Sequence, residues 1–190
     1  MMEEKIYRIN ENIQEALRFA EAKNAALITF NGAALYVLIE GREVLPSFAQ
    51  EFFHILAIVL IIGITLSIIA FLPNMNPAKK QITKVTIDEW NERKKFSIFY
   101  FGHIRKFGNE EFLAKIYSHY GEKLTEPINK AELDLATQTI IISRITRHKY
   151  VFFSIAGHLT LIALIIPIPI LALYWLAILL RRWFGADLAV

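Results

Sequence analysis

The longest apolar stretch of the chain covers residues 150–180 and contains no Asp, Glu, Lys or Arg. About 20 apolar residues suffice to cross the hydrocarbon core of a bilayer, so this stretch predicts a membrane-spanning helix. Pro167 and Pro169 remove two backbone donors near its middle, which predicts a kink or a break there. We favour one kinked crossing over two half-spans, because each half has only about 15 residues.

Two further apolar segments precede this stretch. Residues 24–39 carry no charge but are short for a span, whereas residues 52–72 are rich in Ile, Leu, Val and Phe and form a secure span. A turn of about ten residues separates them, so residues 24–73 are predicted to form a transmembrane hairpin of two spans. Small residues such as Gly32 and Gly63 would let the two backbones approach closely.

Residues 1–23 interleave charged and apolar side chains. The apolar positions, among them Ile6, Ile9 and Ile13, recur every three or four residues, which predicts an amphipathic helix. Five acidic residues argue against a secretory signal, so we expect this helix to be retained. It could lie on the membrane, dock a partner or pack on the polar part of the chain, and the pattern leaves these alternatives open.

Residues 74–149 form the polar part of the chain and hold 14 of its 21 Lys and Arg residues against nine acids. The positive-inside rule therefore places this segment and the N-terminus in the cytoplasm. A loop or short helix is predicted over residues 79–95. Longer helices are predicted from Asn109 to a stop at Gly121, and again after Pro127. The last helix has no breaker before the C-terminal span, so it could carry a shift of the cytoplasmic domain into the membrane.

The fold class that follows is an all-α integral membrane protein. Its parts are an amphipathic cytoplasmic helix (1–23), the two-span hairpin, a basic helical cytoplasmic domain (74–149), a C-terminal span (150–180) and a short tail (181–190). If the last stretch crosses once, the tail lies outside, and Arg181 and Arg182 then oppose the positive-inside rule. The choice between three and four spans stays open.

The chain of 190 residues shows no catalytic constellation. It contains no cysteine, which excludes disulfides, thiolate metal sites and cysteine nucleophiles. Its five histidines have no metal-ligand spacing, and no phosphate loop or nucleophile elbow is present. We therefore expect no enzyme, no metal and no cofactor. His158 is the ionisable group inside the last span; it either serves a pore or proton path, or is a neutral imidazole bonded to Ser154 or Thr160.

An aromatic and basic cluster lies near residue 100. It could stack a base and bind a phosphate, or it could be ordinary core packing, and the sequence supports the two equally. Arg147 and Lys149, just before the last span, would pair with anionic lipid head groups or receive a phosphate. The candidate ligand-binding residues are Tyr100, Phe101, Gly102, His103, Arg105, Lys106 and Arg144.

Four short motifs, in their order and spacing with the spans, resemble the transmembrane effector family of the Pycsar antiphage defence systems. They are EAKNAALITFNGA (21–33), FYFGHI (99–104), Gln138, and Lys149-Tyr150 leading into the last span. The resemblance covers most of residues 11–175. The positions that match the family motifs are Lys23, Asn31, Gly32, Phe101, Gly102, Gln138, Lys149 and Tyr150. The chain departs from the family in its Pro-Ile-Pro and in its longer basic linker (74–95), which bears on topology.

The resemblance implies a partner cyclase for cytidylate or uridylate, whose product, cyclic CMP or cyclic UMP, triggers membrane impairment and arrest or death of the infected cell. No separate cyclic-nucleotide-binding β-roll is recognisable. We therefore expect a non-enzymatic, homo-oligomeric effector in the inner membrane that binds lipid and a cyclic nucleotide but no nucleic acid polymer. The alternatives are a constitutive membrane scaffold that recruits a protein partner through the basic domain, and a holin-like pore that needs no ligand.

Overall fold

The structure, a computed structural model, describes residues 2–41, 47–72, 95–124 and 127–184. Within these ranges there are six helices and no strand: α1 (Met2–Gly41), α2 (Ser47–Ile69), α3 (Phe101–Ile104), α4 (Asn109–His119), α5 (Lys130–Ile165) and α6 (Pro167–Phe184). The predicted all-α class is confirmed. The loop or short helix expected over residues 79–95 falls, apart from Lys95, outside the described residues.

Among the described residues, three helical stretches are long and apolar enough to cross a membrane. They are Met2–Gly41, Gln50–Ile69 and Lys130–Arg181, the last of which includes all of α5 and most of α6. Each overlaps one of the three apolar segments of the sequence, so the prediction of an integral membrane protein is confirmed.

Helix α1 is continuous over 40 residues. It contains both the amphipathic segment and the first apolar segment. The chain has no proline before Pro46, and Gly32 costs only about 1 kcal/mol of helix stability among strong helix formers such as Ala33 and Ala34. Nothing in the local sequence therefore stops the helix before Gly41.

The chain forms two compact units. Unit 1 comprises Met1–Ala26 and Ile68–Phe153, and unit 2 comprises Leu27–Ser67 and Ser154–Val190. Helices α1 and α5 each contribute residues to both units. All seven candidate ligand-binding residues belong to unit 1.

The core of unit 1 is built on the apolar stripe of α1. Ile6, Ile9 and Ile13 are buried together with residues of α3, α4, α5 and the loops between them. The spacing of three and four residues puts these side chains on one face of α1, which buries them against the rest of the unit. Of the alternatives for this helix, the structure shows packing on the polar part of the chain. The other buried members are Met2, Ile98, Ile104, Phe107, Phe112, Leu113, Ile116, Ala136 and Ile140.

Helix α4 begins and ends with recognisable local signals. The Gly108 N–H donates to the Glu111 Oε2 at 3.0 Å, so the glutamate side chain satisfies a donor that the helix leaves free. At the other end Gly121 has φ = 73°, the left-handed conformation that glycine adopts without strain. The Glu122 N–H then donates to the Tyr117 carbonyl at 2.9 Å. The predicted stop at Gly121 is confirmed.

Unit 2 packs parts of α1, α2 and α5. Its buried centre is Leu56, Leu60 and Ala163. Gly63 is also buried, and a Cβ placed there would lie 3.0 Å from the Asn31 Nδ2, which shows how closely α1 and α2 approach. Gly32, by contrast, is exposed with nothing within 4 Å of such a Cβ, so the expectation that it lies in this contact is wrong.

The last apolar stretch is interrupted where the two prolines predict it. Helix α5 ends at Ile165, Ile166 forms a turn, and α6 begins at Pro167. A proline is well accommodated at the first position of a helix, because the N–H it lacks would have no partner inside the helix.

Candidate functional site

Five rings in unit 1 form a continuous series of contacts, which we call the aromatic column. Phe101 stacks on Tyr150, with ring centroids 5.1 Å apart and planes at 8°. Tyr100 contacts Phe101 at 4.9 Å and meets His103 edge-on at 5.0 Å. His103 in turn stacks on Phe96 at 4.5 Å and 10°. The column therefore joins the segment around α3 to Tyr150 of α5.

A lysine lies at each end of the aromatic column. The Lys23 Nζ lies 5.5 Å from the centroid of Tyr150, and it also faces Phe19 at 4.4 Å and Phe153 at 5.4 Å. The Lys106 Nζ lies 4.8 Å from the centroid of Phe96. Cations are attracted to the faces of aromatic rings, so both contacts are favourable. Through Lys23 the column also reaches α1.

Tyr100 and Gly102 set the local geometry of the column. The Tyr100 carbonyl accepts the N–H groups of His103 and Ile104 at 2.9 and 3.0 Å, which starts the short helix α3. The Tyr100 ring folds back over Gly102, so that a Cβ at residue 102 would come within 2.5 Å of the Tyr100 Cε1. Only glycine leaves room for the ring there.

The rings of the column differ in exposure, and Tyr100 is its exposed member. The Ser97 N–H donates to the His103 Nδ1 at 3.1 Å, so the neutral imidazole carries its proton on Nε2. With this bond and its two ring neighbours, His103 is a packed residue. Tyr100, by contrast, is 46% exposed. The structure thus supports the packing interpretation for Phe101 and His103, whereas much of the Tyr100 ring is exposed.

The side chain of Arg144, one candidate cation, contacts the backbone of Arg105, another. The Arg144 Nε donates to the Arg105 carbonyl at 3.4 Å. The Arg105 Nε is buried and has no hydrogen-bond partner among the described residues. Lys106, next in the chain, is exposed. Guanidinium groups bind phosphate through charge-assisted hydrogen bonds, so these two arginines have the chemistry to bind an anion.

Lys149 lies inside the fold rather than at a lipid surface. It is only 7% exposed, and its Nζ pairs with the Glu21 Oε1 at 3.0 Å. The Asn24 Nδ2 donates to the Ala20 carbonyl at 2.9 Å and lies 3.4 Å from the Lys149 carbonyl. The Lys149 Nζ also lies 5.3 Å from the ring centroid of Phe71. The expectation that Lys149 pairs with a lipid head group or a phosphate is therefore wrong, whereas Arg147 is exposed.

The remaining motif positions lie away from the column or in the other unit. Gln138 is an exposed residue of α5, and Asn31 and Gly32 belong to unit 2. There the Thr160 Oγ1 donates to the fully buried Asn31 Oδ1 at 2.9 Å. Asn31 therefore contributes to packing within the spans.

His158 is bonded to its own helix. Its Nδ1 lies 2.6 Å from the Ser154 carbonyl, one helical turn earlier. A carbonyl can only accept, so the Nδ1 carries a proton and the neutral imidazole has its Nε2 unprotonated. The structure shows the alternative in which the imidazole bonds to residue 154, here through the backbone carbonyl. Among the described residues, no group of three or more His, Asp or Glu side chains could hold a metal ion.

Sequence reasoning missed Glu21, Asn24, Phe71 and Phe96. Glu21 and Asn24 fall inside the first motif, but nothing in the sequence shows that they meet Lys149, about 125 residues later. Phe96 immediately precedes the aromatic cluster, and its proximity in sequence to His103 was the available signal.

Comparison with known proteins gives the same family as the motifs. The family model described as the Pycsar effector protein domain, PycTM, matches residues 5–178. The chain is 29% identical over 166 residues to the Pycsar effector protein RsPycTM of a Rhizobium species, a match that covers 83% of this chain and 89% of that protein. No solved structure matches the chain. Because the family match covers most of the chain and includes the whole aromatic column, the chain belongs to the family of Pycsar effector proteins.

Proposed function

We propose that this protein is a non-enzymatic effector of antiphage defence that binds cyclic CMP or cyclic UMP and then impairs the inner membrane of the infected cell. Its family and its three helices able to cross a bilayer make it a membrane effector. To this we add the ligand, made by a partner cyclase, and the damage to the inner membrane. The observation that carries the proposal is the aromatic column, which joins an exposed ring to helices that continue into the apolar segments.

The ligand site we propose consists of Tyr100, Arg105 and Arg144, all three in unit 1. The exposed ring of Tyr100 can stack a pyrimidine, since stacking on an aromatic side chain needs only the face of the base. The two guanidinium groups can bind the single negative charge of a cyclic phosphate. One ring and two cations suit a mononucleotide and not a nucleic acid polymer. Lys106 would add to the positive field without a direct contact.

The coupling to the membrane runs through the contact between Phe101 and Tyr150. A ligand that moves Tyr100 also moves Phe101, which begins α3, and the stacked ring of Tyr150 follows. Helix α5 continues from Tyr150 to Ile165 without a break, so a displacement at Tyr150 is transmitted along it. The ligand acts only if it binds the displaced arrangement more tightly than the resting one.

We place residues 74–149 and the N-terminus in the cytoplasm, where a soluble nucleotide is available. Support comes from the excess of Lys and Arg in that segment. A reporter that is active only in the periplasm should stay silent when it is fused after Lys95. Activity of that fusion would contradict the orientation and any sensing of a cytoplasmic nucleotide.

Binding is tested on the purified full-length protein in detergent. Saturating cyclic CMP or cyclic UMP should raise the melting temperature, because a ligand that binds only the folded state stabilises it, by about 2.7 kcal/mol at 100 times Kd. Cyclic AMP should raise it less. Arg105→Ala should abolish the shift, whereas Lys130→Ala, which removes an exposed cation at the start of α5, should not. If neither pyrimidine nucleotide produces a shift, the sensor proposal is wrong and the scaffold alternative is favoured.

Coupling is tested in cells with a membrane-potential dye. Wild-type protein should depolarise the membrane only when a cytidylate or uridylate cyclase is co-expressed. Phe101→Leu keeps an apolar side chain but removes the ring that stacks on Tyr150, so it should bind ligand and fail to depolarise. Phe99→Leu is the matched control, because Phe99 is exposed and its ring contacts His119 instead. Depolarisation without any cyclase would indicate a ligand-independent pore.

We also propose that the effector is a homo-oligomer. Each chain contributes three helical stretches able to cross the bilayer, which is few for enclosing an aqueous path. Association of several copies would supply more helices around one path.

A further inference from the structure

His158 lies on the outward face of α5 within unit 2. The buried residues of this part of α5 are Ala156, Thr160 and Ala163, and at 3.6 residues per turn His158 lies on the opposite side of the helix from them. Apart from Ser154, its neighbours on the outward face are apolar and exposed; Leu161, for example, is 54% exposed. A histidine thus stands in a surface that would otherwise be expected to face lipid.

The depth of His158 makes this position costly in lipid. It follows Tyr150, the start of the apolar stretch, by eight residues, which corresponds to about 12 Å along a helix. An imidazole is too short to reach the head groups from there. The bond from the His158 Nδ1 to the Ser154 carbonyl satisfies one ring nitrogen and leaves the Nε2, on the other side of the ring, for a second partner. Ionisable residues within membrane spans generally face protein or water rather than lipid.

We propose that a second copy of this chain covers this face. We call it the His158 face; it consists of Ser154, His158, Leu161 and Ile165, all of them exposed in one copy. Their separations of four, three and four residues are those of a two-helix seam. In a parallel pair of such helices, His158 of one copy faces residues 154, 158 and 161 of the other. The hydroxyl of Ser154 can then donate to the Nε2 of the facing histidine, so the face supplies both a donor and an acceptor.

A second copy fits this face better than lipid does, because it alone presents the complementary hydroxyl at the same depth. Gly157, which borders the face, has nothing within 4 Å of an added Cβ, so the chain's own packing does not require a glycine there. Small residues let membrane helices approach closely, and Gly157 would do so in the pair. This inference assigns an interface to the proposed homo-oligomer. Only the physiological role of that interface rests on the proposed function. The contact exists in the resting membrane, because the imidazole needs a partner there as well.

The test uses the absence of cysteine from the chain. Leu161→Cys introduces one thiol on the His158 face and leaves both polar groups in place. Ile62→Cys is the matched control, on an exposed position of α2, where Ile62 is 46% exposed. Full-length variants are expressed without a cyclase, and membranes are treated with a disulfide-forming oxidant. The Leu161→Cys variant should give covalent dimer in at least about tenfold higher yield than the control, since disulfides require Cβ atoms within about 4.5 Å.

A second variant tests the role of the imidazole itself. In the Leu161→Cys background, His158→Leu should lower the dimer yield about fivefold, the change expected for loss of one interhelical hydrogen bond. His158→Gln, which keeps a donor and an acceptor, should retain most of the yield. Equal yields from Leu161→Cys and Ile62→Cys, or a yield unaffected by His158→Leu, would overturn the proposal. If cross-linking fails but wild-type protein with a cyclase still depolarises the membrane, the interface is wrong and the proposed function stands. If cross-linking succeeds but wild-type protein with a cyclase does not depolarise the membrane, the interface is supported and the proposed function is contradicted.

Discussion

Replacing Glu21 should destabilise the protein much more than replacing Lys149, although both changes break the same ion pair. The reason is the unequal burial of the two partners. Lys149 is 7% exposed, whereas the side chain of Glu21 is 41% exposed. Glu21→Gln leaves an ammonium group buried without its carboxylate. Lys149→Met instead leaves a carboxylate that water can solvate, and it keeps an apolar stem of similar length in the buried position.

The size of each effect follows from these burials. Removing one partner of a fully buried pair costs about 3–5 kcal/mol, and exposed pairs contribute about 0–1 kcal/mol. The amide oxygen of the new glutamine can still accept a hydrogen bond from the ammonium group, so we expect Glu21→Gln to cost about 2 kcal/mol. Lys149→Met should cost less than about 1 kcal/mol. For a chain of this length these values correspond to losses in melting temperature of about 4–8 °C for Glu21→Gln and below about 4 °C for Lys149→Met.

The assay is thermal unfolding of the purified protein in one detergent, followed by the loss of helical circular dichroism. Glu15→Gln serves as the control, because Glu15 is an exposed glutamate of the same helix. If Lys149→Met lowers the melting temperature as much as Glu21→Gln, the uncompensated charge is not the cause. The packing of the lysine stem would then be the larger contribution.

Three further predictions concern single contacts. Tyr117→Phe removes the hydrogen bond of 2.7 Å to the buried Glu132 and should cost about 1–2 kcal/mol, read as a lower melting temperature. That bond and burial raise the pKa of Tyr117 to about 12. The greater stability of the wild type over Tyr117→Phe should therefore be complete below about pH 10 and disappear as the pH rises to about 12. A stability difference that persists at that pH would contradict this cause. Gly102→Ala should displace the ring of Tyr100 and abolish the melting-temperature shift with cyclic CMP or cyclic UMP. The melting temperature without ligand should change by no more than about 2 °C, because the Tyr100 ring is exposed and can move. Gly63→Ala should lower the stability by about 1–2 kcal/mol, because the added Cβ crowds the amide of Asn31. In an Asn31→Ala background the same change should be neutral or stabilising, since the other neighbours of that Cβ lie 3.8 Å away. Equal costs in both backgrounds would refute this reasoning.

The sequence alone determined the class of the protein and the positions of its apolar segments. A stretch of residues without charge that is long enough to cross a bilayer has few alternatives, because unpaired backbone groups force it to be helical in lipid. The break at Pro167 and the helix stop at Gly121 were equally readable. Both depend on the φ angle and the hydrogen-bonding capacity of a single residue, which tertiary contacts do not alter.

The sequence also identified the candidate residues but not which of them are packed and which are exposed. Tyr100 and His103 are three residues apart and chemically plausible as a ligand site in equal measure. The structure packs His103 between Phe96 and Tyr100 and leaves Tyr100 half-exposed. This difference in exposure between Tyr100 and His103 depends on the directions of the side chains around α3. The presence of aromatic and basic residues in a segment does not determine those directions.

Only the tertiary structure decided which distant residues meet. The aromatic column joins Phe101 to Tyr150, and Thr160 bonds to Asn31 across 129 positions of the chain. Lys149 shows the limit most clearly, because a lysine just before a span is normally expected at the lipid surface. It is buried because α1 brings Glu21 to it, and a charge tolerates burial only when an opposite charge or a hydrogen-bonding partner is brought to the same place. Such pairing depends on how helices far apart in sequence pack together, so periodicity and composition within one segment do not predict it.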